Sequence, residues 1–268
     1  MKLENAKVLL TGAAGGIGSA LAEQLLDRGA KLAMLGRDDA ELAPLQQRLL
    51  DAHPGATLCA IGADLLDNAA RQAAVDRAAR ELGGIDVLIN CAGAMSFRPF
   101  AEEDPALLAR LVQVNLVAPM LLVRQLLPAM LNRGSGRIVN VGSTFGSIGF
   151  AWFAAYSASK FGLRGLSEAL RRELDGSGVE VTYVAPRAVK TPLNTDAVYR
   201  MAEATSMNMD EPQWVAARII KAIEKDAKDV YLGFPEKFFA RLNSLLPRLV
   251  DGGLRKQNRV MGPFARGM

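Results

Sequence analysis

A tyrosine and a lysine stand four residues apart at Tyr156 and Lys160. They lie within 153–174, a stretch whose apolar spacing predicts a helix. Residues four apart on a helix project from the same face, one turn from each other. A free phenol has a pKa of about 10 and is a sluggish base at neutral pH. A cation within about 4–6 Å favours the phenolate. Such a pair can move a proton on and off an oxygen, a step to which a well-placed group contributes roughly 10²–10⁴-fold. On an ordinary surface helix the pair would be inert. Here Ser143, thirteen residues upstream at the end of an apolar run, places a hydroxyl in the same reading frame of strand, loop and helix.

The second chemical feature is a turn. Thr11-Gly12-Ala13-Ala14-Gly15-Gly16-Ile17-Gly18 follows the first apolar run and opens the first helical pattern. Small residues let backbone approach a pyrophosphate, and a helix N-terminus offers free N–H groups and a positive dipole end. The position after strand one favours a nucleotide-binding turn over a merely tight one. The spacing is T-G-x-x-x-G-x-G, not the commoner G-x-G-x-x-G.

With these features the chain resembles the short-chain dehydrogenase/reductase family, in its compact single-domain branch. The resemblance covers roughly residues 5–192 and extends more loosely to about 233. Asn90-Cys91-Ala92-Gly93 resembles the family's N-N-A-G turn, and Tyr156-Ser157-Ala158-Ser159-Lys160 matches Y-x-x-x-K. Pro186 and Thr191 take the places of the P-G-x-x-x-T segment, with Arg187 where the family has glycine. That departure bears on the backbone beside a nicotinamide, not on the proton chemistry.

The resemblance implies a nicotinamide dinucleotide held by Gly12, Ala14, Gly15, Gly16, Ile17 and Gly18. Asp64 and Leu65 would meet the adenine, with Asp64 alternatively an N-cap. Asn90, Ala92, Gly93, Pro186 and Thr191 would line the remainder of the cofactor site. It further implies Tyr156 as proton donor and Ser143 as hydrogen-bond partner of the substrate oxygen, where a fixed donor counts most as charge develops. Lys160 would bind the nicotinamide ribose and, with the oxidised ring's positive charge, acidify Tyr156. Asn115 would hold a water that reconnects Lys160 to solvent. The cofactor would carry the difficult step and the protein would position it.

An acid ending strand two selects NAD through the ribose 2′-hydroxyl; a basic residue there accommodates a 2′-phosphate. Strand two ends Met34-Leu35-Gly36-Arg37, with Gly36 in the acid's place. Arginine's fork of donors suits phosphate. The expectation is NADP(H). The rival is NAD(H), selected by Asp38 swinging in.

Strand and helix patterns alternate along the chain. Apolar runs at 7–11, 31–35, 57–62, 85–90, 137–141, 179–184 and 229–232 read as strands. Helical spacing covers 16–28, 38–50, 67–82, 105–132, 153–174 and 211–225. The strands are continuously apolar, as in a parallel sheet covered on both faces. The fold class expected is α/β: one single-domain, doubly wound Rossmann-type parallel sheet of about seven strands flanked by helices. Residues 1–235 would form the dinucleotide-binding and catalytic domain. The stretch 193–210, irregular and rich in methionine, reads as a surface loop or as a mobile substrate lid. Residues 236–268 would be a basic amphipathic helix and tail.

Half of the 268 residues are apolar, enough for a sizeable core. The two cysteines, Cys59 and Cys91, fall in apolar runs and fit buried thiols in a reducing compartment better than a disulfide framework. With His53 the only histidine, no metal site is expected. The polar start, Met1 to Lys7, is no signal peptide, and no apolar stretch reads as long enough to span a bilayer, so the expected location is cytoplasmic. The net charge of +4 is concentrated from Glu236 onward, where seven basic residues face two acids and the rest of the chain is near neutral. That distribution argues against nucleic-acid binding.

In the tail, Phe238, Phe239, Leu242, Leu245, Leu246, Leu249 and Val250 recur at helical spacing, with Lys237, Arg241 and Arg248 alongside. This reads as one helix, 236–250, bent at Pro247, packing on its own subunit, on a partner subunit, on an anionic membrane surface or beside the cleft, where it would receive a lipophilic substrate. Beyond Gly252 little order is expected. By resemblance the chain is a homodimer or homotetramer acting on a small carbonyl or alcohol, with the methionines and the apolar tail pointing to an apolar or lipid-like one. Two other readings are an idle dinucleotide-binding sensor or membrane-docked regulator, and a nucleotide-sugar epimerase or dehydratase.

Overall fold

The computed structural model describes residues 1–267. Its strands are β1 (Lys7–Thr11), β2 (Lys31–Gly36), β3 (Leu58–Gly62), β4 (Val87–Asn90), β5 (Gly136–Val141), β6 (Val179–Ala185) and β7 (Asp229–Tyr231). They form one sheet in the order β3-β2-β1-β4-β5-β6-β7, every neighbouring pair parallel.

Side chains alternate across a strand, so a sheet covered on both sides needs apolar residues at every position. On one face Val8, Leu10, Leu32 and Met34 pack on Leu21 and Leu25 of α1 (Gly16–Leu26) and on Ile219 and Ile223 of α8 (Pro212–Glu224). On the other, Leu9, Leu35 and Leu88 meet Ala74 and Ala78 of α3 (Asn68–Leu82) and Leu122 and Leu126 of α5 (Ala118–Arg133). The order reverses between β1 and β4, which opens a crevice at the strands' carboxyl ends, the place where ligands bind in such sheets.

The remaining helices are α2 (Asp39–Ala52), α4 (Pro105–Val112), α6 (Ala154–Glu173), α7 (Asp196–Ala204), α9 (Glu236–Leu245) and α10 (Pro247–Ala265). Asp38 caps α2, accepting from the Glu41 N–H at 2.7 Å, and Asp67 caps α3 in the same way.

Five expectations are corrected. The stretch 193–210 is not irregular throughout: Thr195 caps α7, which buries Val198, Met201 and Ala202. The tail is two helices, because Pro247 takes the first position of a new helix, where its missing N–H costs nothing. Order continues past Gly252, since Met261 and Ala265 of α10 are buried. The run 105–133, a continuous helical rod in which a π turn at Gln113–Val117 joins α4 to α5, is long and apolar enough to cross a membrane by length and composition. It lies along the sheet, with Leu111, Leu122, Leu126 and Met130 buried. Finally, Cys91 follows β4 and is half-buried, not a strand residue.

Candidate active site

The glycine-rich turn is shaped by contacts that leave no room for side chains. Gly12 has φ +66°, and a Cβ there would lie 2.7 Å from the Ala92 Cα. A Cβ on Gly18 would sit 2.0 Å from the Gly12 carbonyl oxygen, so α1 starts directly on the turn's own backbone. Gly15 is the N-cap, and no side chain caps the helix. The first N–H groups of a helix have no intrahelical partner, so those of Gly16, Ile17 and Gly18 face outward beside Ala14, as an anion requires. Thr11 Oγ accepts from the Cys91 and Ala92 N–H groups, both at 3.1 Å, and so locks this turn to the segment after β4. Thr191 closes the far side, its methyl against Gly16. This cradle fits the pyrophosphate of a dinucleotide.

At the end of β2, Arg37 is three-quarters exposed, and its guanidinium pairs with Glu41 at 2.8 Å. Asp38 spends its carboxylate on the α2 cap. Asp64 accepts from the Leu66 N–H at 2.9 Å and is exposed; the α3 cap is Asp67, so the N-cap alternative for Asp64 does not hold. Leu65 is half-buried, its carbonyl taken by Arg71.

Across the crevice the structure brings together Asn115, Ser143, Tyr156 and Lys160. Ser143 ends β5. A Cβ on its neighbour Gly142 would collide with the ring of Tyr183, whose hydroxyl donates to the Ser143 carbonyl at 3.2 Å. Tyr183 thus fixes the Ser143 backbone from beneath, a role that its place in an apolar strand did not disclose. Thr144 donates its N–H to the Pro186 carbonyl at 2.9 Å, tying the Ser143 loop to the end of β6. Asn115 is wholly buried on the π turn. It accepts from the Ala94 N–H and donates to the Ala94 carbonyl, both at 2.8 Å, and donates to Ser159 at 3.0 Å. Ser159 in turn donates to the Tyr156 carbonyl at 2.7 Å. Asn90 donates to Asn140 at 2.9 Å, and Asn140 to Ser167 of α6 at 2.8 Å. Two polar chains therefore anchor α6, one within the Tyr156–Lys160 turn and one further along the helix at Ser167. Gly93 lies within a methyl's reach of both Asn115 Oδ1 and Lys160 Nζ.

The electrostatics differ from the sequence expectation. Burial pushes the Tyr156 phenol up to about 12, opposed by the Ser143 hydroxyl. Burial pushes the Lys160 ammonium down to about 8. Lys160 donates to the Val141 carbonyl at 3.0 Å and lies 5.7 Å from the Tyr156 ring centre. The protein's own groups therefore leave the phenol protonated, because dehydration is the largest influence on both side chains.

Around Tyr156 the walls are aromatic and sulfur-bearing: Met95, Phe97, Phe145, Phe153, Met201 and Met261 share one cluster. Phe145 meets Tyr156 edge-on at 6.2 Å. Phe97 stacks on Phe153 at 4.6 Å. Arg187, in place of glycine, reaches away and binds Asp210 at 2.8 Å and Glu236 at 3.4 Å. It joins the end of β6 to the segment after α7 and to the start of α9. The sequence marked Arg187 as a departure but held no sign of its partners.

The model of the short chain dehydrogenase family matches residues 6–201. Dehydrogenase/reductase SDR family member 7B of Bos taurus is 32% identical over 272 residues, covering 96% of this chain and 84% of its own. Ketoacyl reductase HetN of a Nostoc species is 37% identical over 224 residues, covering 83% and 77%. Among solved structures, a short-chain dehydrogenase from Sphingobium yanoikuyae in complex with NADPH superposes with a TM-score of 0.77 at 29% identity, covering 92% of this chain and 95% of that one. A turn made for pyrophosphate facing a serine, tyrosine and lysine across the switch point of the sheet, in a chain matched by that model over most of its length, makes this protein a member of the short-chain dehydrogenase/reductase family, an oxidoreductase of hydroxyl and carbonyl groups.

Proposed function

We propose that the protein is an NADP(H)-dependent carbonyl reductase/alcohol dehydrogenase for an apolar ketone or aldehyde and its alcohol. The observation that carries this reading is the juxtaposition of Ser143 and Tyr156 on a wall of phenylalanine and methionine side chains. A polar pair in an apolar hollow holds one oxygen and leaves the rest of a substrate to hydrophobic contact.

The bound nicotinamide supplies or accepts the hydride. Ser143 holds the carbonyl oxygen, and Tyr156 gives it a proton. Lys160 steadies the cofactor ribose, and Asn115 fixes the Ala94 segment and α6 so that the proton path from Lys160 to solvent stays in register. Tyr156, Lys160, Gly12, Ala14, Gly15, Gly16, Ile17, Gly18, Asn90, Ala92, Gly93, Pro186 and Thr191 line the cofactor, and Asp64 and Leu65 flank its adenine.

NADP(H) is supported by two features. No acid stands at Gly36, and Asp38 is already committed to capping α2. Arg37 is free to turn toward a 2′-phosphate once it leaves Glu41. A homo-oligomer is supported by the apolar outer faces of α5 and α6, where Met120, Leu131 and Phe161 are exposed and Val123, Leu127 and Leu170 line a shared hollow.

Tyr156→Phe tests the reading: NADPH oxidation with a hydrophobic ketone should fall by on the order of 10²-fold or more, with NADPH affinity nearly intact. Retention of most turnover would overturn the role given to Tyr156.

A further inference from the structure

The outer side of α9 and the start of α10 carries apolar side chains that nothing among the described residues covers. Phe234 and Leu245 are each 79% exposed, Leu249 62% and Phe238 56%, and Leu246 and Phe239 complete the patch. Such a patch exceeds the scattered exposed apolar residues of an ordinary surface. Lys237, Arg241 and Arg248 are exposed beside it.

A second feature adjoins it. Between α8 and β7 runs a groove lined by Trp214, Arg218, Lys221, Lys225 and Lys237, with no acidic residue in its wall. Arg218 stacks on Trp214, 4.9 Å from the ring centre. Among the described residues none of these four cations forms a salt bridge. Lys237, in the first turn of α9, belongs to the groove and to the patch alike, so both form one surface.

We propose that this surface docks on an anionic lipid bilayer, with the α9–α10 aromatic and leucine side chains in the interface and the α8–β7 groove on acidic headgroups. Apolar area and cations on one face are the chemistry of interfacial binding. A second copy of the chain fits the face poorly. A two-fold contact over this face would bring the partner's copies of Arg218, Lys221, Lys225 and Lys237 into the same interface, with no acid in the groove wall to offset them.

The same hairpin reaches the active site. Asn243 of α9 donates to the Ser147 carbonyl at 2.9 Å. Ala240 and Val250 pack on Ile148 in the loop after Ser143. Met261 and Phe264 of α10 join the cluster that holds Tyr156. A docked hairpin thus lies between lipid and the hollow, and delivers substrates that partition into the bilayer. Delivery rests on the carbonyl-reductase reading; docking does not.

The test is sedimentation of the full-length protein with phosphatidylcholine vesicles, alone or with about a third phosphatidylglycerol. Lys221→Glu/Lys225→Glu and Phe238→Ser/Leu249→Ser are compared with the parent, and NADPH oxidation with a water-soluble ketone is measured in parallel. Expected is binding to the anionic vesicles, roughly tenfold weaker to the neutral ones and weakened by about 0.5 M salt. Each double variant should bind on the order of tenfold less, with soluble-ketone turnover unchanged. A parent protein that stays in the supernatant with both compositions overturns docking. So do double variants that alter the oligomeric state in light scattering and leave vesicle binding as it was. Failure of ketone reduction in a protein that still sediments strikes the catalytic reading alone.

Discussion

The two walls of the crevice are built on different principles. The wall proposed for the cofactor is built from backbone: Gly12 and Gly18 touch neighbouring main-chain atoms, and the uncapped start of α1 would do the binding through its free N–H groups. The substrate wall works through side chains drawn from the segment after β4, the 145–153 loop, α7 and α10, elements separated by more than a hundred residues. One wall tolerates almost no substitution and recognises a fixed ligand. The other is packed from interchangeable hydrophobic parts and can be retuned without disturbing the chemistry.

The largest break in that contrast is expected from Gly18→Val. Its side chain must displace the Gly12 carbonyl, so stability should drop by about 3 kcal/mol or more and NADPH binding should vanish, as followed by thermal melting and fluorescence titration. A comparable volume change in the substrate wall, Met201→Ala, should leave NADPH affinity unchanged.

Arg187→Gly comes next. It restores the family residue but frees Asp210 and Glu236, both partly shielded from water. The variant should lose about 1–3 kcal/mol of stability, with KM for a bulky ketone shifted and NADPH affinity retained. An unchanged melting temperature would show that the clamp does not hold α9 to the body.

The pH profile sharpens the contrast from within the catalytic turn. Tyr156, at about 12, stays protonated through the neutral range. Lys160, at about 8, is charged below that pH and neutral above it. Reduction needs both groups protonated, so kcat/KM should be level below pH 8 and decline above it. Oxidation needs the phenolate and should rise with pH. A reductive rate flat to pH 10 would remove Lys160 from the titration.

The smallest effect belongs to Glu41→Gln. Released from an exposed ion pair of the kind that contributes ~0.3–0.5 kcal/mol, Arg37 should bind NADPH roughly twofold more tightly, with NADH unaffected. A gain for NADH instead would favour the rival cofactor.

The difference between the walls also explains what could be read from sequence. Continuous apolar runs such as Val8–Leu10 and Leu32–Leu35 announce strands covered on both faces, and their alternation with helical spacing leads directly to the parallel sheet. The glycine turn and the Tyr156–Lys160 pair were legible because their geometry is local. Tyr183 beneath Ser143, Asp210 and Glu236 on Arg187, and Met261 beside Tyr156 were not, since each acts on a residue tens to a hundred positions away. Helix α7 escaped notice because its pattern is short and sits among polar residues. The charged lysine was expected to acidify Tyr156, but pattern alone carries no measure of how far burial dries both groups.

The π turn at Gln113–Val117 has a consequence for how this chain tolerates insertion and deletion. A regular α-helix advances about 100° per residue, and a π bulge accommodates a surplus residue without breaking the rod. Deleting one position between 113 and 117 would let the ladder close with α4 and α5 little turned against each other, yet it would remove the bulged backbone that aims Asn115 at Ala94. The most helical-looking variant of this segment would therefore be the one that loses the catalytic register, while the same deletion in the loop before Pro105 would leave that register alone.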